Sequence, residues 1–254
     1  MLTNSDMKRL RSLTRKKFRE QYGQYLIEGR RLITAALESS APLLETYVTP
    51  AFLEHPGHQE LIHRLDNLFI PYTVIIESTM RKLTSTVTPP GILGVCSFPE
   101  TLIPEPETRT NRLYLDRISD PGNLGTLLRA AAWFNVTQVA LSPESIDPYN
   151  PKVIRGGMGA HFALTIFTDI TLDRLCGAPH VVLGADQCGQ PLSELKLSPE
   201  TPWILVLGSE AHGLSPDTIP LLTHTVSIPR LGSGESLNVA VAGGILLYLL
   251  TTEM

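Results

Sequence analysis

From residue 112 onward the chain alternates short apolar runs with segments of helical period, and this alternation restricts the fold more than any other feature. The runs are Arg112–Ile118, Gln138–Ser142, Leu164–Phe167, His180–Ala185, Trp203–Leu207 and Thr225–Ile228. Strands buried on both faces read as continuous apolar runs. Strands alternating with helical patterns imply βαβ units, so the expected fold class is α/β with a mostly parallel sheet. Ligands of such sheets bind beyond the carboxyl ends of the strands, which directs attention to the loops that follow them.

The front of the chain follows a different plan. A basic helix leads to Tyr25-Leu26-Ile27-Glu28-Gly29, and an amphipathic helix then runs from Arg30 to about Ser39, with Leu32, Ile33, Ala36 and Leu37 on one stripe. Strand-like runs at Glu45–Thr49, Tyr72–Ile76 and Gly91–Ser97 enclose helical segments at Gln59–Asn67 and Ser78–Leu83, which predicts a small α/β sandwich. Phe98–Arg109 carries three prolines and three acidic residues and reads as a linker. The expected organisation is a domain over 1–98, a linker over 99–110 and a second domain over 111–254.

Composition bounds the function. At 254 residues, 43% hydrophobic and 18% charged, the chain can bury a core. Its longest apolar stretch, Val239–Leu250, is about half of the ~20 residues that span a bilayer, and the N-terminus has no apolar leader. Neither export nor a membrane is expected. Cys96, Cys176 and Cys188 form no CxxC pair and no Cys/His ligand spacing, so no disulfide framework and no metal site are expected, and a cytoplasmic location fits. A net charge of −4 argues against strong general affinity for nucleic acid, yet residues 1–31 hold nine Lys and Arg against Asp6, Glu20 and Glu28. A solvated amphipathic helix, a transit peptide and a localised phosphate contact all fit that cluster.

Three loops carry residues suited to chemistry. In the first, Asp120-Pro121-Gly122 makes a tight turn after a strand, and Asn123 is placed to cap the next helix. On that helix Arg129 neighbours Gly125 and Thr126 on one side and Ala132 and Trp133 on the other, which leaves room beside the guanidinium. In the second, Gly208 and Gly213 bracket Ser209, Glu210 and His212, and Ser215 with Pro216 reads as a helix start. Glu210 would set a carboxylate beside a ligand, whereas a lone loop His212 is more often a surface residue than a base. In the third, Gly232 and Gly234 make a flexible loop before an apolar helix capped by Ser236, and Asn238 inside that helix would need a polar partner. Taken singly, Asn123 reads as a cap and Arg129 as a solvated arginine. There is no GxGxxG loop, which disfavours a nicotinamide-dependent dehydrogenase.

Together the loops resemble the three motifs of the SpoU (TrmH) family of RNA 2′-O-ribose methyltransferases, in the SPOUT superfamily: DPGNLGTLLRAA, LVLGSEAHGLS and SIPRLGSGESLNVAVAGG, in that order. The front, KKFREQYGQYLIEGRRLITAALES, is similar to the L30e-like RNA-binding domain that precedes the catalytic domain in many members. The resemblance implies a SPOUT-type parallel sheet with a C-terminal deep trefoil knot, which topology rules alone would not suggest. It implies S-adenosyl-L-methionine as cofactor, a homodimer, and structured RNA as partner, ribosomal RNA in preference to tRNA. It carries catalytic roles to Asn123, Arg129, Glu210, Ser236 and Asn238, and cofactor contacts to Leu207, Gly208, Ile228 and Leu237. Arg230, where many members have methionine, and Gly157, where serine is frequent, depart from the pattern. An alternative in another class is a noncatalytic ribosome-assembly factor of the same fold; the intact motif residues count against it.

Overall fold

The computed structural model describes residues 2–100 and 109–252, so most of the expected linker lies outside the described residues. The chain folds as two compact units, Met1–Glu100 with Tyr149–Phe162, and Thr101–Pro148 with Ala163–Met254.

In the first unit the basic helix is two helices, α1 (Asn4–Ser12) and α2 (Lys16–Tyr22), which lead into β1 (Gln24–Glu28) and α3 (Arg30–Glu38). Then follow β2 (Leu43–Val48), α4 (Pro50–Glu54), α5 (Gln59–Asn67), β3 (Tyr72–Val74), α6 (Glu77–Leu83) and β4 (Ile92–Ser97). The sheet has the order β1-β4-β2-β3, with β4 antiparallel to both neighbours and β3 parallel to β2. One core gathers Ile33, Leu37, Leu61 and Leu65 from α3 and α5, and a second gathers Leu10, Met80 and Leu83 from α1 and α6. Not all of the basic cluster faces solvent. Arg9 bonds Glu45 and, at 2.6 Å, Gln24, while buried Arg19 donates to the Leu13 carbonyl at 2.9 Å. Lys8, Arg11, Arg15, Lys16, Lys17, Arg30 and Arg31 remain exposed.

The second unit begins with β5 (Arg112–Leu115), α7 (Pro121–Trp133) and β6 (Gln138–Leu141). The next helix, α8 (Pro151–Gly157), groups with the first unit: Ile154 joins its core and Arg155 bonds Ser85. The second unit resumes with β7 (Thr165–Phe167), β8 (Val181–Pro191), β9 (Trp203–Leu207), β10 (His224–Ser227) and α9 (Val239–Thr252). Its sheet is parallel throughout, in the order β10-β8-β9-β5-β6-β7, as the apolar runs predict.

Two features differ from the expected βα repetition. Short 3-10 turns at Leu172–Arg174 and Leu192–Glu194, rather than helices, lie between β7, β8 and β9. Ser215-Pro216 opens only a turn that ends in a 3-10 segment at Ile219–Leu221. Pro220, four residues after Pro216, has no N–H for the bond that would continue an α-helix. On one sheet face Gly243 of α9 admits Leu127 of α7 and Leu207 of β9; a Cβ there would lie 2.4 and 2.7 Å from their methyl carbons. On the other, Tyr114, Ile204 and Val206 pack against Ile170, Leu172 and Leu175.

Candidate active site

The loops that follow β5, β9 and β10 meet at the carboxyl ends of the parallel strands. After β5 the cap of α7 is Asp120, not Asn123. The Asp120 carboxylate accepts the Asn123 N–H at 2.8 Å, and Pro121 fills the first helical position. Asn123 therefore stands in the first turn with its side chain free for other partners.

After β9 the chain turns back at once. Ser209 and Gly213 exchange backbone bonds of 3.0 and 2.9 Å, which sets Glu210 in a closed turn. A Cβ on Gly208 would lie 2.3 Å from the Gly213 carbonyl carbon, and Gly213 has a φ of 64°. The Gly208 position thus serves close approach of the loop to itself, and Gly213 the left-handed closing residue. The far end of the turn is tied to β5: the buried Asp116 carboxylate accepts the Ser215 N–H at 2.7 Å. Sequence reading missed Asp116. Its signal was an acidic residue directly after an apolar strand, where a buried carboxylate needs a donor.

After β10 the apolar helix begins at Val239, later than expected. Asn238 is its cap, with Oδ1 accepting from Ala240 N at 2.9 Å and Val241 N at 3.3 Å. Ser236 lies upstream in the loop and is not the cap, and Asn238 stands before the helix and not inside it, which corrects both expectations for that segment. With Oδ1 committed to the helix, Asn238 Nδ2 donates to Asn123 Oδ1 at 2.9 Å. Asn123 Nδ2 then donates to Glu210 Oε1 at 2.6 Å. The orientation of each amide follows from the one before it, and the series ends on a carboxylate that only accepts.

Of the other expected residues, Arg129 is exposed on α7 beyond these amides, and exposed His212 donates its backbone N–H to Ser209 Oγ at 3.1 Å. Leu207 is buried beneath α9, so only its main chain faces the loops. Gly208 and Ile228 are half-buried. Leu237, 52% exposed, and Leu231, 98% exposed, present apolar surface on the loop before Asn238, the kind of surface a flat purine ring covers. The departure Arg230 donates to the Gly234 carbonyl at 2.9 Å and so braces this loop. Gly157 ends α8 within the first unit, where it is buried. Among the described residues no cluster suits a metal ion, and no helix is long and apolar enough to cross a membrane.

Comparison with known proteins matches residues 110–248 to the SpoU rRNA methylase family and residues 4–94 to the MRM3-like substrate binding domain. The chain is 33% identical to an uncharacterized tRNA/rRNA methyltransferase of Synechocystis sp., over 96% of this chain and 90% of that protein. It is 31% identical to the 23S rRNA (guanosine(2553)-2′-O)-methyltransferase RlmP of Bacillus subtilis, over 96% and 95%. Among solved structures it resembles the AdoMet-bound rRNA methyltransferase of Sinorhizobium meliloti, with a TM-score of 0.85, 26% identity and coverage of 100% and 97%.

Proposed function

This chain belongs to the SpoU rRNA methylase family, and from that premise we propose how its loops carry out the reaction. The enzyme transfers a methyl group from S-adenosylmethionine to a ribose 2′-hydroxyl of ribosomal RNA. The observation that carries the site assignment is the Asn238–Asn123–Glu210 series, which joins all three motif loops through side-chain amides.

Bound S-adenosylmethionine supplies an electrophilic methyl group on a sulfonium, whose positive charge is lost as the methyl passes to oxygen. Residues Leu207, Gly208, Ile228 and Leu237 would hold it, Leu207 and Gly208 by their main chain. The remaining task is to orient a ribose hydroxyl in line and remove its proton. Asn123 and Asn238 hold the loops and the ribose, and Ser236, exposed on the same loop, adds a hydroxyl. A guanidinium does not act as a base in water, so Arg129 holds the adjacent RNA phosphate and stabilises alkoxide character. The proton leaves through the phosphate, Glu210 or water.

Residues 111–254, apart from the segment 149–162 that packs with the first unit, form the catalytic domain and 1–98 the RNA-binding one, joined by 99–110, with the segments around the second and third motifs in a trefoil knot. A second copy of the chain completes the molecule, an assembly supported by the outward face of α9, where Val241, Ile245 and Tyr248 are exposed. A 23S-type RNA is the substrate, met in the cytoplasm.

The test is to incubate the protein with methyl-labelled S-adenosylmethionine and protein-free ribosomal RNA. Label is expected on a single ribose 2′-oxygen, and unlabelled RNA overturns the reading. Arg129→Lys keeps the charge but not the planar fork. It is expected to lose on the order of tenfold or more in turnover with unchanged cofactor affinity.

A further inference from the structure

In the first unit, the turn between α4 and α5 carries a stack of rings that methyl transfer does not use. Phe52 is buried in the core. His58 lies over it with ring centroids 3.9 Å apart at 17°, and His55 lies over His58 at 4.3 Å and 24°. The series climbs from the core to an exposed last ring, His55.

Hydrogen bonds fix both imidazoles. His58 Nδ1 is 3.1 Å from the Phe52 carbonyl oxygen, which only accepts, so Nδ1 carries the proton. His55 Nδ1 accepts the Gly57 N–H at 3.1 Å, which leaves the hydrogen of the neutral ring on Nε2. A Cβ on Gly57 would lie 3.1 Å from His55 Cε1, so the glycine is what lets the ring lie down on the turn. Arg30, in the first turn of α3, makes a long 3.5 Å contact with the Gly57 carbonyl. Glu28, two residues before Arg30, accepts twice from Ser85 and pairs with Arg155 at 3.9 Å. Glu54 and Glu60 flank the turn, so its charge is mixed. What the turn offers is a flat, pre-oriented ring beside one cation.

We propose that His55 is a stacking platform for an unpaired base of the RNA substrate, with Arg30 on the neighbouring phosphate. This rests on the reading above that ribosomal RNA is the substrate. Unpaired bases in loops and bulges are splayed out and stacked on such rings, and the contact tolerates any base.

Affinity of the full chain for protein-free ribosomal RNA, measured by filter binding across a salt series, tests the platform. His55→Phe keeps the ring and loses the acceptor for Gly57, whereas His55→Asn keeps an acceptor and loses the ring. His55→Phe should bind within about twofold of wild type, while His55→Asn and His55→Ala should bind on the order of tenfold more weakly. Arg30→Ala should flatten the slope of log affinity against log salt by about one. Cofactor affinity and Tm should not separate the three His55 variants in that order. The platform is overturned if His55→Asn binds like wild type, if His55→Phe is as weak as His55→Ala, or if the wild type binds no RNA. Failure of the methyl-transfer reading shows separately, as a wild type that binds this RNA and leaves it unlabelled.

Discussion

Asn238 makes two kinds of bond that substitution can separate. Its Oδ1 caps α9, and its Nδ2 orients Asn123 and, through it, the contact with Glu210. Asn238→Asp keeps the cap, but a carboxylate now faces Asn123 Oδ1. Asn123 must turn its amide toward Asp, which leaves its oxygen against the Glu210 carboxylate. Turnover should fall on the order of tenfold or more with Tm nearly unchanged. Asn238→Ala loses the cap as well, at about 1 kcal/mol, and its Tm should drop by about 2–4 °C. Equal turnover in wild type and Asn238→Asp would show that the amide series aligns nothing. Both caps were open to sequence reading, which chose the wrong residue each time. In DPGN, Pro121 marks Asp120 as the residue before the first helical position. In ESLN the two candidates are equally good acceptors, and only the start of regular backbone at Val239 decides between them. That Asn123 and Asn238 touch each other came from no local rule, because 115 residues separate them.

At the scale of elements, the turn after β9 depends on a glycine that no other residue can replace. Gly208→Ala would drive a methyl group into the Gly213 backbone, so the turn must open and Glu210 must move away from Asn123. Gly213→Ala meets no atom within 4 Å and bears only the cost of a left-handed backbone, about 1–2 kcal/mol. Methyl transfer should therefore be largely lost in Gly208→Ala and largely kept in Gly213→Ala once both are assayed below their Tm. The opposite order would mean that closure of this turn does not set Glu210. The central strands were legible because each is apolar along its length and flanked by turn residues. The end of β8 was not: its last residues pair with β10 across a register shift between Thr225 and Val226, and Asp186, Gln187 and Gln190 interrupt the apolar run. The missing helix after Ser215 was legible in principle, since Pro220 forbids it.

At the scale of the molecule, α9 is apolar nearly all round, and a helix of that kind is usually buried. Ala240, Gly243, Leu246, Leu247 and Leu250 face the sheet, while Val241, Ile245 and Tyr248 recur at helical spacing on the exposed side. The same unit exposes 82% of Trp133, one helical turn beyond Arg129 on α7. A second copy laid on this face would bury the stripe, and one that also covered Trp133 would reach within one helical turn of Arg129, so assembly and activity are coupled in this reading. If the folded unit is a dimer, mass action makes its thermal midpoint rise with protein concentration. Ile245→Lys would bury an unpaired charge at the centre of the stripe, so it should sediment as a monomer with a concentration-independent Tm. It should also lose turnover, although it touches none of the residues assigned to the reaction. A wild type whose sedimentation and Tm ignore concentration would reject the second copy. A monomeric Ile245→Lys with full turnover would keep the dimer but cut its link to Arg129.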